Sequence, residues 1–407
     1  MNILCISKYA APAKYSKMPG RLFQLTKEFV KLGHGVRLVV SDSNHFGKFP
    51  STKKIYNLEI IENVPVHWIK TKKYKKTKSI SRILSWIDFE IKLFLFPLKG
   101  FVVPDVIIIS SLSIFTILYG YYLKKKFQSF LVFEIRDIWP LTMTEEGGYS
   151  KWNPLVILIG MFEKFGYKNS DLIVGTMPKL NLHLKNRLGY DKQFYCSPIG
   201  FNPSNYIHNY YQNIEIIDLM FPKDKIIIGY SGSFGITNAL GLFINTIKQL
   251  NKNLDIYFVL VGSGDLKNEY IKQLSDCNNV VFLPRIEQNQ VKYILGKCDI
   301  LYLSTKYSKV WQYGQSMNKV VEYMLAGKPI IASYSGYQSM INESKCGVFV
   351  KDENEIELIN TILHFSNMRK TEREKIGKNG KNWIYDERVY SVLAIKYINE
   401  INLRIRQ

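Results

Sequence analysis

The chain has 407 residues, 46% apolar and 14% aromatic, with 55 Lys and Arg against 34 Asp and Glu, a net charge of +21. Such a length and apolar content exclude a disordered chain and predict two domains, each burying its own core. The charge predicts attraction to something anionic: nucleic acid, a membrane or a phosphorylated substrate. The cysteines at 5, 196, 277, 298 and 346 have no CxxC spacing, which suggests reduced thiols. The histidines are isolated and no Asp-x-Asp occurs, so a protein-built metal site is not expected.

Taken in order, Ile3–Ser7 reads as a buried strand rather than a leader, and Leu22–Leu32 as a helix closed by Gly33-His34-Gly35. Val36–Val40 is a second strand, so the chain opens as βαβ, the start of a Rossmann-like domain. Gly20 lets a ligand approach the backbone, although by itself it reads as an ordinary turn; Arg21 follows it. Residues 58–69 read as a polar strand pair. A basic run, Lys70–Lys78, then leads into Ile80–Phe96, which is apolar around much of its circumference but carries Arg82, Asp88, Glu90 and Lys92. It makes a poor spanning segment. A basic run beside an aromatic helix suits binding in the plane of an anionic membrane, with Trp86 and Phe89 as an apolar foothold.

Strands follow at 104–109 and 130–135, separated by a helix over 114–126. The second runs into Arg136-Asp137-Ile138-Trp139-Pro140. A charged pair at a strand's carboxyl end is where open α/β sheets place ligands; the plainer alternative is a surface ion pair. Helices are predicted over 155–168 and 178–188, and a linker runs from 198 to about 225. A second Rossmann unit begins at Ile226–Tyr230. Gly232, Ser233 and Gly235 form a glycine-rich turn toward a helix over 239–250, whose backbone N–H groups can hold a diphosphate. The tail, 372–406, reads as helix interrupted at Asn382-Trp383.

The most informative stretch is 314–332. Ser316 and Asn318 are good helix N-caps. Val320, Val321, Met324 and Leu325 make a buried stripe, Gly327 stops the helix and Ile330–Ala332 reads as a strand. A helix N-terminus opening from a Gly/Ser loop suits an anion. Lys319 lies in its first turn, and Glu322, one turn on, can accept from two vicinal hydroxyls such as those of a ribose. The same pattern also fits a helix with a solvated Lys and Glu.

This stretch resembles the sugar-nucleotide signature of family-4 glycosyltransferases of the GT-B fold. Glu322 matches the second Glu of the family's Glu-x7-Glu motif, and Ala326-Gly327-Lys328-Pro329-Ile330-Ile331-Ala332 matches its ending. The first Glu is Gly314 here. Arg136-Asp137-Ile138-Trp139-Pro140 and Ser316-Met317-Asn318-Lys319 resemble the branch that builds bacterial surface polysaccharides such as O-antigen and capsule; the likeness spans nearly the whole chain.

The resemblance implies an α/β, GT-B fold: two Rossmann-like domains facing across a cleft. The first spans 1–200 and the second 201–384, with a final helix, about 385–407, crossing back onto the first. The implied enzyme is a hexosyl- or N-acetylhexosaminyltransferase that retains anomeric configuration without a metal or other cofactor. It would move a sugar from a nucleotide-diphosphate donor, expected to be a UDP-sugar, to a lipid-linked glycan. It would sit peripherally on the cytoplasmic face of the bacterial membrane and bind no nucleic acid. Lys319, Arg136 and Asp137 are the expected catalytic residues. Gly232, Ser233, Gly235, Arg285, Ser316, Met317, Asn318 and Glu322 would bind the donor; Gly20 and Arg21 would form the acceptor loop. The family often has Arg and Lys after the glycine turn, where this chain has Thr237-Asn238-Ala239, so Lys319 and Arg285 would meet the phosphate charge. A sugar-nucleotide epimerase and a basic nucleic-acid-binding protein are the alternatives.

Overall fold

The structure, a computed structural model, describes residues 1–12, 14–16, 20–43, 50, 52–74, 79–206 and 218–406. Lys75–Lys78 of the basic run and 207–217 of the predicted linker lie outside these. The chain forms two compact units, Met1–Gly200 with Tyr390–Gln407, and Phe201–Val389.

The first unit holds β1 (Asn2–Ile6), β2 (Gly35–Ser41), β3 (Tyr56–Ile61), β4 (Val64–Ile69), β5 (Val106–Ser110), β6 (Phe130–Ile135), β7 (Leu172–Gly175) and β8 (Phe194–Cys196). Their order is β3-β4-β2-β1-β5-β6-β7-β8, and every pairing is parallel except β3 with β4. The β3–β4 hairpin turns on Glu62 and Asn63, both at positive φ as a two-residue hairpin of this hand requires. The strands expected to be a polar pair divide by position: edge β3 exposes Leu58 and Ile60, while β4 buries Val64, Val66 and Trp68 beside β2. Runs such as Val106–Ile109 are apolar on both faces because helices cover both sides of a parallel sheet.

The second unit holds β9 (Ile226–Ser231), β10 (Ile256–Val261), β11 (Val280–Leu283), β12 (Ile300–Ser304), β13 (Ile330–Ser333) and β14 (Gly347–Val350). They run all parallel in the order β11-β10-β9-β12-β13-β14, the doubly wound arrangement whose order reverses between β9 and β12.

The tail departs from expectation. The helix Lys370–Arg388 passes unbroken through Asn382-Trp383 and stops at Val389, which is extended and bridges Phe201. Nothing at Asn382 or Trp383 forces a break, and Arg388 stacks over the Trp383 ring at 5.0 Å. The last helix, Tyr390–Ile405, belongs to the first unit, with Tyr397 edge-on to Phe29 at 5.7 Å.

Arg21, expected in an acceptor loop, is turned into the core of the first unit. Its side chain is 2% exposed and its Nη1 pairs with Glu134 at 2.7 Å. Nη2 donates to the Ser197 carbonyl and hydroxyl, both at 2.7 Å, and Nε to the Pro198 carbonyl at 3.1 Å. A buried charge left alone costs far more than the intact pair contributes. Glu134→Gln should therefore destabilise the first unit by about 3–5 kcal/mol, measured as a fall in its urea midpoint. A change below 1 kcal/mol would show that the Ser197 and Pro198 oxygens alone satisfy Arg21.

Candidate functional site

In the second unit the carboxyl ends of β9 and β12 flank the switch point. Ser231 ends β9, and its N–H donates to the Tyr323 hydroxyl at 2.8 Å. That hydroxyl lies 3.2 Å from the Ser231 carbonyl and donates to it. Tyr323 is wholly buried on the helix Asn318–Ala326, so the phenol ties this helix to the strand end. The helix starts at Asn318 with Met317 as N-cap and makes no side-chain cap bond. Neither Ser316 nor Asn318 is thus the N-cap, and Met317, which is, offers no capping side chain.

Lys319 follows one residue into this helix. It is not a solvated residue: its Nζ donates to the Asn238 Oδ1 at 2.8 Å and the Tyr230 hydroxyl at 3.3 Å, and lies 4.6 Å from the Tyr230 ring centre. Burial pushes its pKa down to about 8, with Glu322 working the other way. Both of its bonded acceptors are neutral, and it makes no ion pair among the described residues. Asn238 is one of the residues standing where the family often has a cation after the turn; the lysine reaches it from another element. The Ser304 hydroxyl donates to the Asn238 carbonyl at 2.5 Å, closing β12 onto the same turn.

The glycine turn differs from expectation. Gly232–Gly235 opens into a single 3-10 turn, Ile236–Asn238, and the next α-helix starts only at Gly241. The turn therefore carries no long-helix dipole. Two of its amides are spent, Gly232 N–H on the Val261 carbonyl at 3.0 Å and Phe234 N–H on Ser263 at 3.0 Å. The amides of Ser233 and Gly235 have no acceptor among the described residues. Arg285 is exposed beyond β11, two strands from β9, and has no bonded partner among the described residues.

Several features of this unit escaped the sequence. Gln315, directly after Gly314, is 2% exposed, and both its amide atoms lack a partner among the described residues; so does the buried Thr305 hydroxyl beyond β12. Burial lowers the Lys292 pKa, and Glu322 lies close enough to offset part of that. A polar residue at a loop position reads as solvated, and no local pattern reveals that it is buried.

In the first unit the corresponding strand ends carry charge. Arg136 is half-buried beyond β6, its N–H held by the Ser111 hydroxyl at 3.0 Å; Asp137 beside it is exposed. Burial, with Arg21 nearby, pushes the Arg136 pKa down. Trp139 has a buried indole N–H without an acceptor among the described residues. Lys8, beyond β1, was not foreseen. It is fully buried on the Ser85 and Ser41 hydroxyls at 3.0 and 3.3 Å, and desolvation brings its pKa to about 7. Glu90, also nearly buried, is raised to about 7 by desolvation, against hydrogen bonds from Thr116 and Ser113. Gly20 caps the helix Arg21–Lys31, and its N–H donates to the Ala11 carbonyl at 2.8 Å. No group of three or more His, Cys, Asp or Glu with metal-site geometry occurs among the described residues.

Residues 199–383, nearly the whole second unit, match the family model described as "Glycosyl transferases group 1". That span is similar to group 1 glycosyltransferases. Solved structures match the chain along its length. Sucrose-phosphate synthase from Thermosynechococcus elongatus is 16% identical with a TM-score of 0.72, covering 100% of this chain and 99% of that one. A protein described as "Trehalose-6-phosphate from E. coli bound with UDP-2-fluoro glucose" is 12% identical with a TM-score of 0.71 and covers 98% of each. Anabaena HepE, in complex with UDP and glucose, is 13% identical with a TM-score of 0.62 and covers 99% of each. The fold is GT-B. No curated protein matches the chain in sequence.

Glycines set how closely the loops of this GT-B domain approach each other. A Cβ on Gly232 would meet the Lys319 Nζ at 2.6 Å, and one on Gly262, at φ +144, would meet the Gly232 carbonyl at 1.8 Å. On Gly235 it would meet only the Ser233 Oγ, at 3.3 Å. Thermal unfolding should therefore rank the alanine variants: Gly262→Ala most destabilised, Gly232→Ala by about 1–3 kcal/mol through overpacking, and Gly235→Ala little changed. A Gly232→Ala protein as stable as the parent would mean that Lys319 is free to leave the turn.

Proposed function

We propose that the protein transfers a hexosyl or N-acetylhexosaminyl group from a UDP-sugar to a hydroxyl of a lipid-linked glycan, with retention, on the cytoplasmic face of a bacterial membrane. The observation that carries the donor assignment is Lys319, an ammonium held at the switch point on two neutral acceptors. A desolvated cation with no carboxylate partner favours an anion, and a departing diphosphate gains charge in the transition state. The uncapped helix N-terminus at Met317–Lys319 and the spare amides of Ser233 and Gly235 add donors. Glu322 takes the ribose hydroxyls. Gln315 and Thr305 supply sugar contacts in place of the carboxylate absent at Gly314. Arg136 and Asp137 act on the sugar or the acceptor.

The membrane assignment rests on the first unit. The helix Ile80–Phe94 buries Trp86 and Phe89, so the expected foothold is unavailable to lipid. Its outward face carries instead Ile80, Leu84, Ile87, Ile91 and Phe94, each at least 40% exposed and spaced one turn apart. An apolar stripe of this kind, on a chain of charge +21 and beside exposed Lys99, Lys125 and Lys126, suits an anionic bilayer surface. Of the basic run, Lys73 is tied to Asp42 at 2.7 Å, so part of that charge is spent internally. No helix among the described residues is long and apolar enough to cross a membrane.

Calorimetry with UDP and UDP-sugars tests the donor assignment. With its pKa near 8, Lys319 is charged at pH 7 and mostly neutral at pH 9. UDP affinity should fall up to about tenfold across that interval. Lys319→Ala should bind weakly and without this dependence, and Glu322→Gln should weaken binding while leaving the pH profile in place. Binding that ignores both pH and Lys319→Ala would remove the lysine from the site; no binding of any nucleotide sugar would overturn the reading.

Flotation on anionic vesicles tests the surface. The triple variant Leu84→Ser, Ile87→Ser, Ile91→Ser should lose most of its vesicle-bound fraction, since each partly exposed side chain contributes roughly 1 kcal/mol on burial. Unchanged flotation would rule out this stripe as the membrane contact.

A further inference from the structure

We propose that the first unit has a second ligand site, unrelated to glycosyl transfer, which takes an amphipathic anion: one apolar chain ending in a carboxylate or phosphate. The site is a cavity of about 340 Å³ at the amino-terminal ends of β1, β2 and β4. Doubly wound sheets bind substrates at the carboxyl ends, so this cavity lies at the wrong end of the sheet to belong to the transferase chemistry. Its wall is largely apolar, with Phe101, Val102 and Phe127 among its residues; Asn2, His34, Arg37 and Asn63 are its polar members, and no acidic residue lines it. An apolar pocket with a few placed polar groups is the general form of a small-molecule site.

The cation among them is Arg37. Its guanidinium stacks over Phe101 at 4.3 Å, which fixes its plane. Its Nη1 is buried and has no acceptor among the described residues. A guanidinium N–H buried without a partner is costly, and a carboxylate or phosphate oxygen is its best complement. The neighbouring imidazole does not fill that role. His67 packs on Phe101 at 4.9 Å, and burial together with the Arg37 charge lowers its pKa to about 4, so it is neutral beside the cation. The apolar remainder of the wall then selects a hydrocarbon body behind the anionic head. The cavity's rim, Val102, is 56% exposed, and Val103 next to it is 53% exposed, which leaves an apolar route for a chain to enter.

The test is calorimetry of the whole protein with decanoate, decyl phosphate and decanol, each as monomer. One or both anions should bind at least tenfold tighter than decanol, and which anion binds better identifies the head group. Arg37→Met keeps the length and apolar packing and should bring the anions to the level of decanol. Val102→Trp, at the exposed rim, should block all three ligands without entering the core, which keeps the test valid if Arg37→Met fails to fold. UDP binding should be unaffected in both variants, so failure here is separable from failure of the donor assignment. Equal affinity for anions and decanol, no binding of any, or full anion binding by Arg37→Met or Val102→Trp would overturn the proposal.

Discussion

The second unit depends on one phenol. The Tyr323 hydroxyl takes the last amide of β9 and gives its proton to the same residue's carbonyl, so the helix Asn318–Ala326 cannot slide along the strand. Everything at the switch point follows from that anchor. It sets the height of the helix N-terminus, and therefore where Lys319 can reach. Lys319 crosses to Asn238, and Ser304 holds Asn238 from the other side. Tyr230 stiffens the arrangement by donating to the Ser233 carbonyl at 2.8 Å while offering its ring to the lysine. Gly232 and Gly262 keep out the side-chain atoms that would push these pieces apart. The turn, the helix and both strands thus form one rigid frame, and rigidity is what a site that stabilises developing charge requires.

Most of this fold was legible because periodicity survives in the sequence. The βα alternation, the buried strands and the loop-helix-stop-strand grammar of 314–332 all rest on local pattern, which tertiary context seldom overrides. The helix Glu355–Asn367 was missed although its signals are present: Asn354 caps the Glu357 amide at 3.0 Å, and Leu358, Ile362 and Phe365 face the core. The helix expected from 239 begins two residues later, because Ile236–Asn238 first closes a 3-10 turn. Site residues were less legible than elements. Lys319 and Glu322 stand out because they sit in a signature. Arg21 was expected in an acceptor loop only through the resemblance, and its actual partner Glu134 lies 113 residues away in sequence. Lys8, Glu90 and Gln315 carry no local mark at all, since whether a polar residue is buried depends on which distant elements cover it.

The buried cations of this chain separate into two kinds by what they touch. Arg21 spends its guanidinium on a carboxylate and on three oxygens of Ser197 and Pro198. Arg373 gives its Nη1 to the carbonyls of Phe365, Ser366 and Met368 at the end of a helix and lies 3.6 Å from Asp299. These are structural, for each has a carboxylate and several carbonyl or hydroxyl oxygens around it, although the Arg373 Nε–H is buried without an acceptor among the described residues. Lys8 is intermediate, held by hydroxyls with Glu90, Asp42 and Asp88 near enough to offset part of its desolvation.

Lys319 and Arg37 differ from the two arginines in having no ion pair among the described residues. One rests on two neutral acceptors and the other has a buried N–H with none among the described residues. Each also stacks on an aromatic ring, Tyr230 in one case and Phe101 in the other, which orients the cation without neutralising it. An aromatic face is worth roughly 1–2 kcal/mol to a desolvated cation, less than an anion in contact would add. A fold that holds a cation this way keeps it charged and aimed while leaving its strongest interaction to be made by something else. The two cations lie at opposite ends of their respective sheets, Lys319 near the carboxyl ends of its strands and Arg37 near the amino ends. The same incompleteness is therefore what the two proposed sites have in common.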